Sequence, residues 1–151
     1  MASELLHSLL VECGLADNAV AVDDRFVRLQ YGSAFVLVGI SGTAVVAVAP
    51  LFRQLPDRNV EAFYRKLLVN NAQMGGVASF AVQADGWIVL HAGRSIKGLD
   101  SNELGVLIGG VGRFADQYDD ELIAEFYAPA SATDAAVAAS GDAGGLAGPA
   151  T

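Results

Sequence analysis

The stretch SAFVLVGISGTAVVAVAPLF, from Ser33 to Phe52, carries no charged side chain, and its reading decides the fold. Its length approaches the roughly 20 apolar residues of a membrane-spanning helix. Three features favour a hairpin instead. Ser41-Gly42-Thr43 interrupts the run midway, Val and Ile dominate on both sides, and Pro50 closes it, a pattern that suits two buried strands joined by a turn. The strands, Ala34 to Ile40 and Ala44 to Ala49, are apolar at every position. A sheet with one solvated face alternates, so both strands are expected to be covered on two sides. Helices supply one cover. A second subunit or a client polypeptide is expected over part of the other, with Val36, Val38, Val46 and Val48 as contact residues.

Outward from this hairpin the period of the apolar residues changes with each element. Upstream, Leu5, Leu6, Leu9, Leu10 and Cys13 recur at helical spacing and Gly14 is placed to end the helix. An Asp23-Asp24 turn leads into Val27, Leu29 and Tyr31, which alternate with Arg28 and Gln30 as on a strand with one wet side. Downstream, Asp57 is expected to open a second helix whose face carries Val60, Phe63, Tyr64, Leu67, Leu68 and Asn71, closed by Gly75-Gly76. Period two then returns. Ala78, Phe80 and Val82 precede an Asp85-Gly86 turn, after which Ile88 and Leu90 oppose Trp87, Val89 and His91. Those last three are an unusual set to leave in water and are read as a partner or dimer contact. Asp100 with Glu103 forms a capping box, and Leu104 to Phe126 gives one long apolar stripe. Gly105, Gly109, Gly110 and Gly112 inside this third helix each cost up to about 1 kcal/mol relative to Ala, which predicts close packing against a neighbour.

The order is helix, three strands, helix, two strands, helix. Short turns between strands imply an α+β fold: an antiparallel sheet of about five strands with three helices. Residues 1–127 read as one domain. Residues 128–151 are almost wholly Ala, Gly, Ser, Thr, Pro and Asp, and this composition predicts a disordered tail.

The 151 residues are 53 % hydrophobic and 17 % charged, with a formal net charge of −8. Such a balance offers no cationic surface to displace counterions from a phosphate backbone, so nucleic acid and anionic membrane are excluded as expected partners. One cysteine, Cys13, rules out an intramolecular disulfide and suits a reducing compartment. Met-Ala-Ser-Glu-Leu-Leu-His lacks the pattern of a secretory leader, and a cytoplasmic location is expected.

Candidate chemistry is sparse. Cys13, His7 and His91 are too few for a zinc site. Gly39-Ile40-Ser41-Gly42-Thr43 fails the nucleophile-elbow pattern at its last position, and the paired glycines lack the Lys-Ser/Thr of a phosphate loop. No cofactor is expected, and a non-catalytic binding role is favoured over an enzyme. Asp116, Asp119, Asp120 and Glu121 crowd the end of the third helix, against its dipole; they form a secondary candidate surface for a basic partner. An alternative role is a regulator that holds a small molecule or lipid in a groove between the sheet and the glycine-rich helix.

Particular residues between Phe63 and Phe126 carry a family likeness. They are Leu67-Leu68 with Asn71, Phe80, Asp85-Gly86, Val89-Leu90, Leu99-Asp100 with Glu103-Leu104, and Phe114 to Leu122. In these the chain resembles the YbjN-domain proteins and the CesT-type chaperones of type III secretion, which share one α+β fold. The resemblance implies a homodimer without cofactor that holds an extended client segment along apolar surface and strand edges. Strand addition of that kind needs no catalytic group.

Overall fold

The computed structural model describes residues 2–128. The expected tail therefore lies, from residue 129, outside the described residues. Helix α1 (Ala2–Glu12) is followed by a 3₁₀ turn (Ala16–Asn18) and strands β1 (Val20–Ala21), β2 (Phe26–Tyr31), β3 (Ala34–Ser41) and β4 (Ala44–Phe52). Helix α2 (Val60–Gln73), strands β5 (Ser79–Val82) and β6 (Ile88–Ser95), and helix α3 (Ser101–Leu122) complete the order, with a π-helical turn at Ile123–Tyr127. The six strands form one antiparallel sheet in the order β1-β2-β3-β4-β6-β5. The fold is α+β with three helices, as the order of elements implies; the additional strand is the two-residue β1.

Residues 33–52 are strands, not a spanning helix, and among the described residues no helix is long and apolar enough to cross a membrane. Their uniform composition conceals a regular alternation. Ala34, Val36 and Val38 of β3, and Val45, Ala47 and Ala49 of β4, face inward and are at most 5 % exposed. Phe35, Leu37, Val46 and Val48 face the other way and are half-buried. All three helices bury apolar faces against the inward side: Leu6, Leu9 and Leu10 from α1, Phe63 and Leu67 from α2, and Leu104, Leu107, Ile108 and Val111 from α3.

Local chemistry explains the boundaries. Gly14 ends α1 at φ +71°, and Gly75 and Gly76 follow α2 at +60° and +81°, a region open to glycine without a Cβ clash. Asp100 caps α3 by accepting the Glu103 N–H at 2.8 Å. Asp57 does not open α2: the helix starts at Val60 behind Asn59, which sits in the left-handed region and makes no side-chain cap. The buried side of α2 is also narrower than its periodicity suggests. Phe63, Leu67 and Asn70 are buried, whereas Tyr64 is 38 %, Leu68 68 % and Val69 47 % exposed.

The four glycines of α3 divide into two pairs. A Cβ on Gly110 would reach Val77 at 2.5 Å and one on Gly112 would reach the Tyr31 ring at 2.4 Å, so these two permit close packing. Gly105 and Gly109 face open space instead, in a groove with Glu12, Cys13, Val106 and Arg113 between α1 and α3. The interval between sheet and α3 is filled by Leu104, Leu107, Ile108 and Val111. The expected ligand groove is therefore absent there among the described residues.

Candidate functional site: the outward face of the sheet

Strand register assembles the site. Arg28 of β2 pairs with Leu37 of β3, Leu37 with Val48 of β4, Val48 with His91 of β6, and His91 with Ser79 of β5. Because adjacent residues of a strand point to opposite faces, these five form one row across the outward surface. The neighbouring row runs from Phe26 through Gly39 and Val46 to Gly93. Pro50, Val89 and Ala81 form a third, shorter row. The middle of this face is apolar: Phe35, Leu37, Val46, Val48 and Pro50 are half-buried, and none packs against the helical core. Its margins are polar, with Arg28 and Gln30 on one side and His91 and Ser79 on the other.

Two contacts shape the surface. The Phe26 ring lies over Gly39, where a Cβ would come within 2.4 Å of the ring, so glycine is what admits the aromatic side chain. The Arg28 guanidinium stands 5.5 Å from the centroid of the Phe35 ring, a cation–π distance that holds the charge at the rim while its stem covers apolar surface.

The residues expected to meet a partner separate accordingly. Val46 and Val48 lie in the central rows. Val36 and Val38 do not: both are 0 % exposed on the inward side, because strand alternation turns them into the core. Their assignment to a contact surface is corrected. Trp87 is half-buried just before β6, with its backbone N–H donating to Asp85 Oδ1 at 3.2 Å in the hairpin turn. His91 is exposed, whereas Val89 is 2 % exposed between Pro50 and Ala81 and offers little area.

The acidic group also divides. Asp116 Oδ1 accepts the Ser33 backbone N–H at 2.8 Å and lies 3.1 Å from the Ser33 hydroxyl, which donates to Asp119 Oδ2 at 2.8 Å. Both carboxylates thus tie α3 to the β2–β3 turn, where any Cβ on Gly32 would collide with Asp116. Burial pushes the Asp119 carboxyl above its usual range, opposed by the Ser33 hydroxyl and the Asp120 N–H. Asp116 and Asp119 are half-buried and tied to the β2–β3 turn, whereas Asp120 and Glu121 are exposed.

At the β1 margin lies a groove that sequence reading missed, bordered by Leu6, His7 and Leu10 of α1 and by Ala21, Phe26 and Val27. Val20 and Val22 beside it are 58 % and 56 % exposed. The signal for it was the short run Ala19-Val20-Ala21-Val22, apolar yet flanked by charge. Among the described residues no group of three or more His, Cys, Asp or Glu could hold a metal ion.

The fold has counterparts among solved structures. It is similar to a chain of the heterodimeric ExoU–SpcU complex from the type III secretion system of Pseudomonas aeruginosa, with 18 % identity, a TM-score of 0.59, and coverage of 76 % of this chain and 95 % of that one. It is similar to a chain in the complex of the Yersinia pestis type III secretion chaperone SycH with a YscM2 fragment, at 17 % identity, TM-score 0.54, and 78 % and 98 % coverage. A third likeness is to the HopA1–SchA chaperone–effector complex, at 9 % identity, TM-score 0.58, and 80 % and 97 % coverage. No curated protein matches the sequence. Of the two families the sequence resembles, it is the CesT one whose model matches, over residues 4–108. That span takes in most of α1, the whole sheet, α2 and the start of α3, and the chain belongs to the Tir chaperone protein (CesT) family.

Proposed function

We propose that this protein is a non-catalytic, chaperone-like module that holds an extended segment of a client polypeptide. The observation that carries the reading is the outward face of the sheet: Phe35, Leu37, Val46, Val48 and Pro50 form an apolar band that the protein's own helices leave uncovered. Polar residues rim the band, an arrangement in common with protein-binding surfaces. Membership of a chaperone family and likeness to chains solved in chaperone–effector complexes support the same role. The β1 margin supports a place for a client strand, since the pairing of Val22 N–H with Phe26 C=O turns Ala21 toward the open side.

A homodimer is part of the proposal. The apolar side of α2 that faces solvent, with Tyr64, Leu68 and Val69, supports it. We place the protein in the cytoplasm, in keeping with its single, partly buried free thiol.

The test is capture from native lysate with the full chain and with Leu37→Asp/Val48→Asp. The expected result is one polypeptide retained by the first and lost by the second, with hydrogen exchange slowed at β3 and β4 in its presence. Equal retention by both chains, with β3 and β4 unaffected, would overturn the reading. Light scattering on Leu68→Arg tests the dimer; an unmodified chain that is monomeric at high concentration removes it.

A further inference from the structure

We infer that Asn71 closes the β5 margin of the sheet, standing in for a neighbouring strand and keeping a second copy of this chain from adding there. The inference does not depend on the client reading. β5 is last in the sheet order, so among the described residues one of its sides has no strand beside it. In an antiparallel ladder successive residues turn their backbone groups alternately toward the partner and away from it. The Gln83 N–H donates to the Trp87 C=O within the β5–β6 hairpin at 2.8 Å, which places Phe80 and Val82 on the outward phase. Free N–H and C=O groups on such an edge are a template for another strand.

At Phe80 both groups are already engaged. Its N–H donates to Asn71 Oδ1 at 2.6 Å, and its C=O accepts from Asn71 Nδ2 at 3.4 Å. A primary amide carries one acceptor and donors in the plane of the group, as a peptide does. Asn71 therefore offers Phe80 the same pair of atoms that an added strand would bring. The amide is fixed in position because its helix is anchored: Leu67 is 3 % and Met74 2 % exposed, one turn to either side. What remains of the outward phase is Val82, 45 % exposed. A single residue is too short to nucleate pairing. Helix α2 thus covers the edge with a side chain at the one position where its own backbone cannot pair.

A purely local role for Asn71, satisfying the buried Phe80 peptide, predicts lower stability and nothing more. Closure of the edge predicts a change in association that depends on Val82. The experiment compares the full chain with Asn71→Ala, with Asn71→Ser as a milder truncation should the alanine variant not fold, and with each combined with Val82→Lys. Sedimentation over a hundredfold concentration range is read beside circular dichroism. The truncated variant is expected to keep the native spectrum and to form species larger than those of the unmodified chain, with at least tenfold tighter association. Adding Val82→Lys is expected to return it to the unmodified state, since a lysine on an edge strand opposes pairing, without restoring the melting temperature. A truncated variant that associates no more than the unmodified chain overturns the inference. So does association that Val82→Lys leaves undiminished.

Discussion

The ring of Tyr31 on β2 rests against the bare Cα of Gly112 on α3, and a Cβ at that position would stand 2.4 Å from the ring's Cγ. The blocked atom belongs to the root of the ring, which cannot swing aside as a flexible chain end would. Gly112→Ala is therefore expected to destabilise by about 1–3 kcal/mol through overpacking, even though alanine is the better helix former. Gly105→Ala and Gly109→Ala meet nothing within 4 Å and are expected to stabilise by about 0.5–1 kcal/mol. Denaturant unfolding of the three single variants checks the opposite signs.

Acid stability is expected to depend on two carboxylates in opposite senses. Burial raises the Asp119 carboxyl, so its favourable contribution is present below the unfolded value of about 3.9 and is lost as pH rises through the folded one. Asp119→Asn should then raise the melting temperature at neutral pH, by no more than about 0.5 kcal/mol in stability because the site is largely solvated. Asp23 is held low by the backbone N–H groups of Arg25 and Phe26. Its contribution is present above the unfolded value and lost as pH falls through the folded one. Melting curves between about pH 3 and 7 for Asp119→Asn and Asp23→Ala should diverge in slope.

Tyr127 predicts an alkaline transition. Its ring stacks on Phe52 at 4.3 Å, its hydroxyl donates to the Gln54 C=O at 2.7 Å, and burial pushes its pKa to about 12. The stabilisation is complete below the unfolded value of about 10 and is lost as pH rises through the folded one. Tyrosinate absorbance should show a step near pH 12, and Tyr127→Phe should remove that step and cost about 1 kcal/mol.

The capping residue of α3 gives a simpler expectation. Asp100→Ala leaves the Glu103 N–H without its acceptor and should cost about 1 kcal/mol, read as a lower denaturation midpoint at unchanged slope.

Elements with a local signature were legible in the sequence. The Gly42 and Gly86 turns, the Asp100 cap and the glycines after α1 and α2 each depend on a backbone conformation or a hydrogen bond within a few residues, so composition alone marks them. The two faces of β3 and β4 were not legible, because alternation leaves no trace when both sides are apolar. Composition alone does not separate Val36 and Val38 from Val46 and Val48, although register sends the pairs to opposite sides. The Ser33 latch joins residues more than eighty positions apart, and nothing local distinguishes a carboxylate tied to a distant turn from one left in water. The roles of the α3 glycines failed for the same reason: helix periodicity says which side they share, not whether Tyr31 or solvent stands opposite.

Strand order also governs what a ribosome must expose. β2, β3 and β4 follow one another in chain and in sheet, but β4 finds its other neighbour only when residues 88–95 arrive, and the lid formed by α3 is complete only at Leu122. At about 5–20 residues per second, roughly 4–14 s of synthesis separate the end of β4 from that lid. Throughout that interval the nascent meander has hydrocarbon on both surfaces and lacks its longest helix, so during its own birth this protein is in the condition of a client.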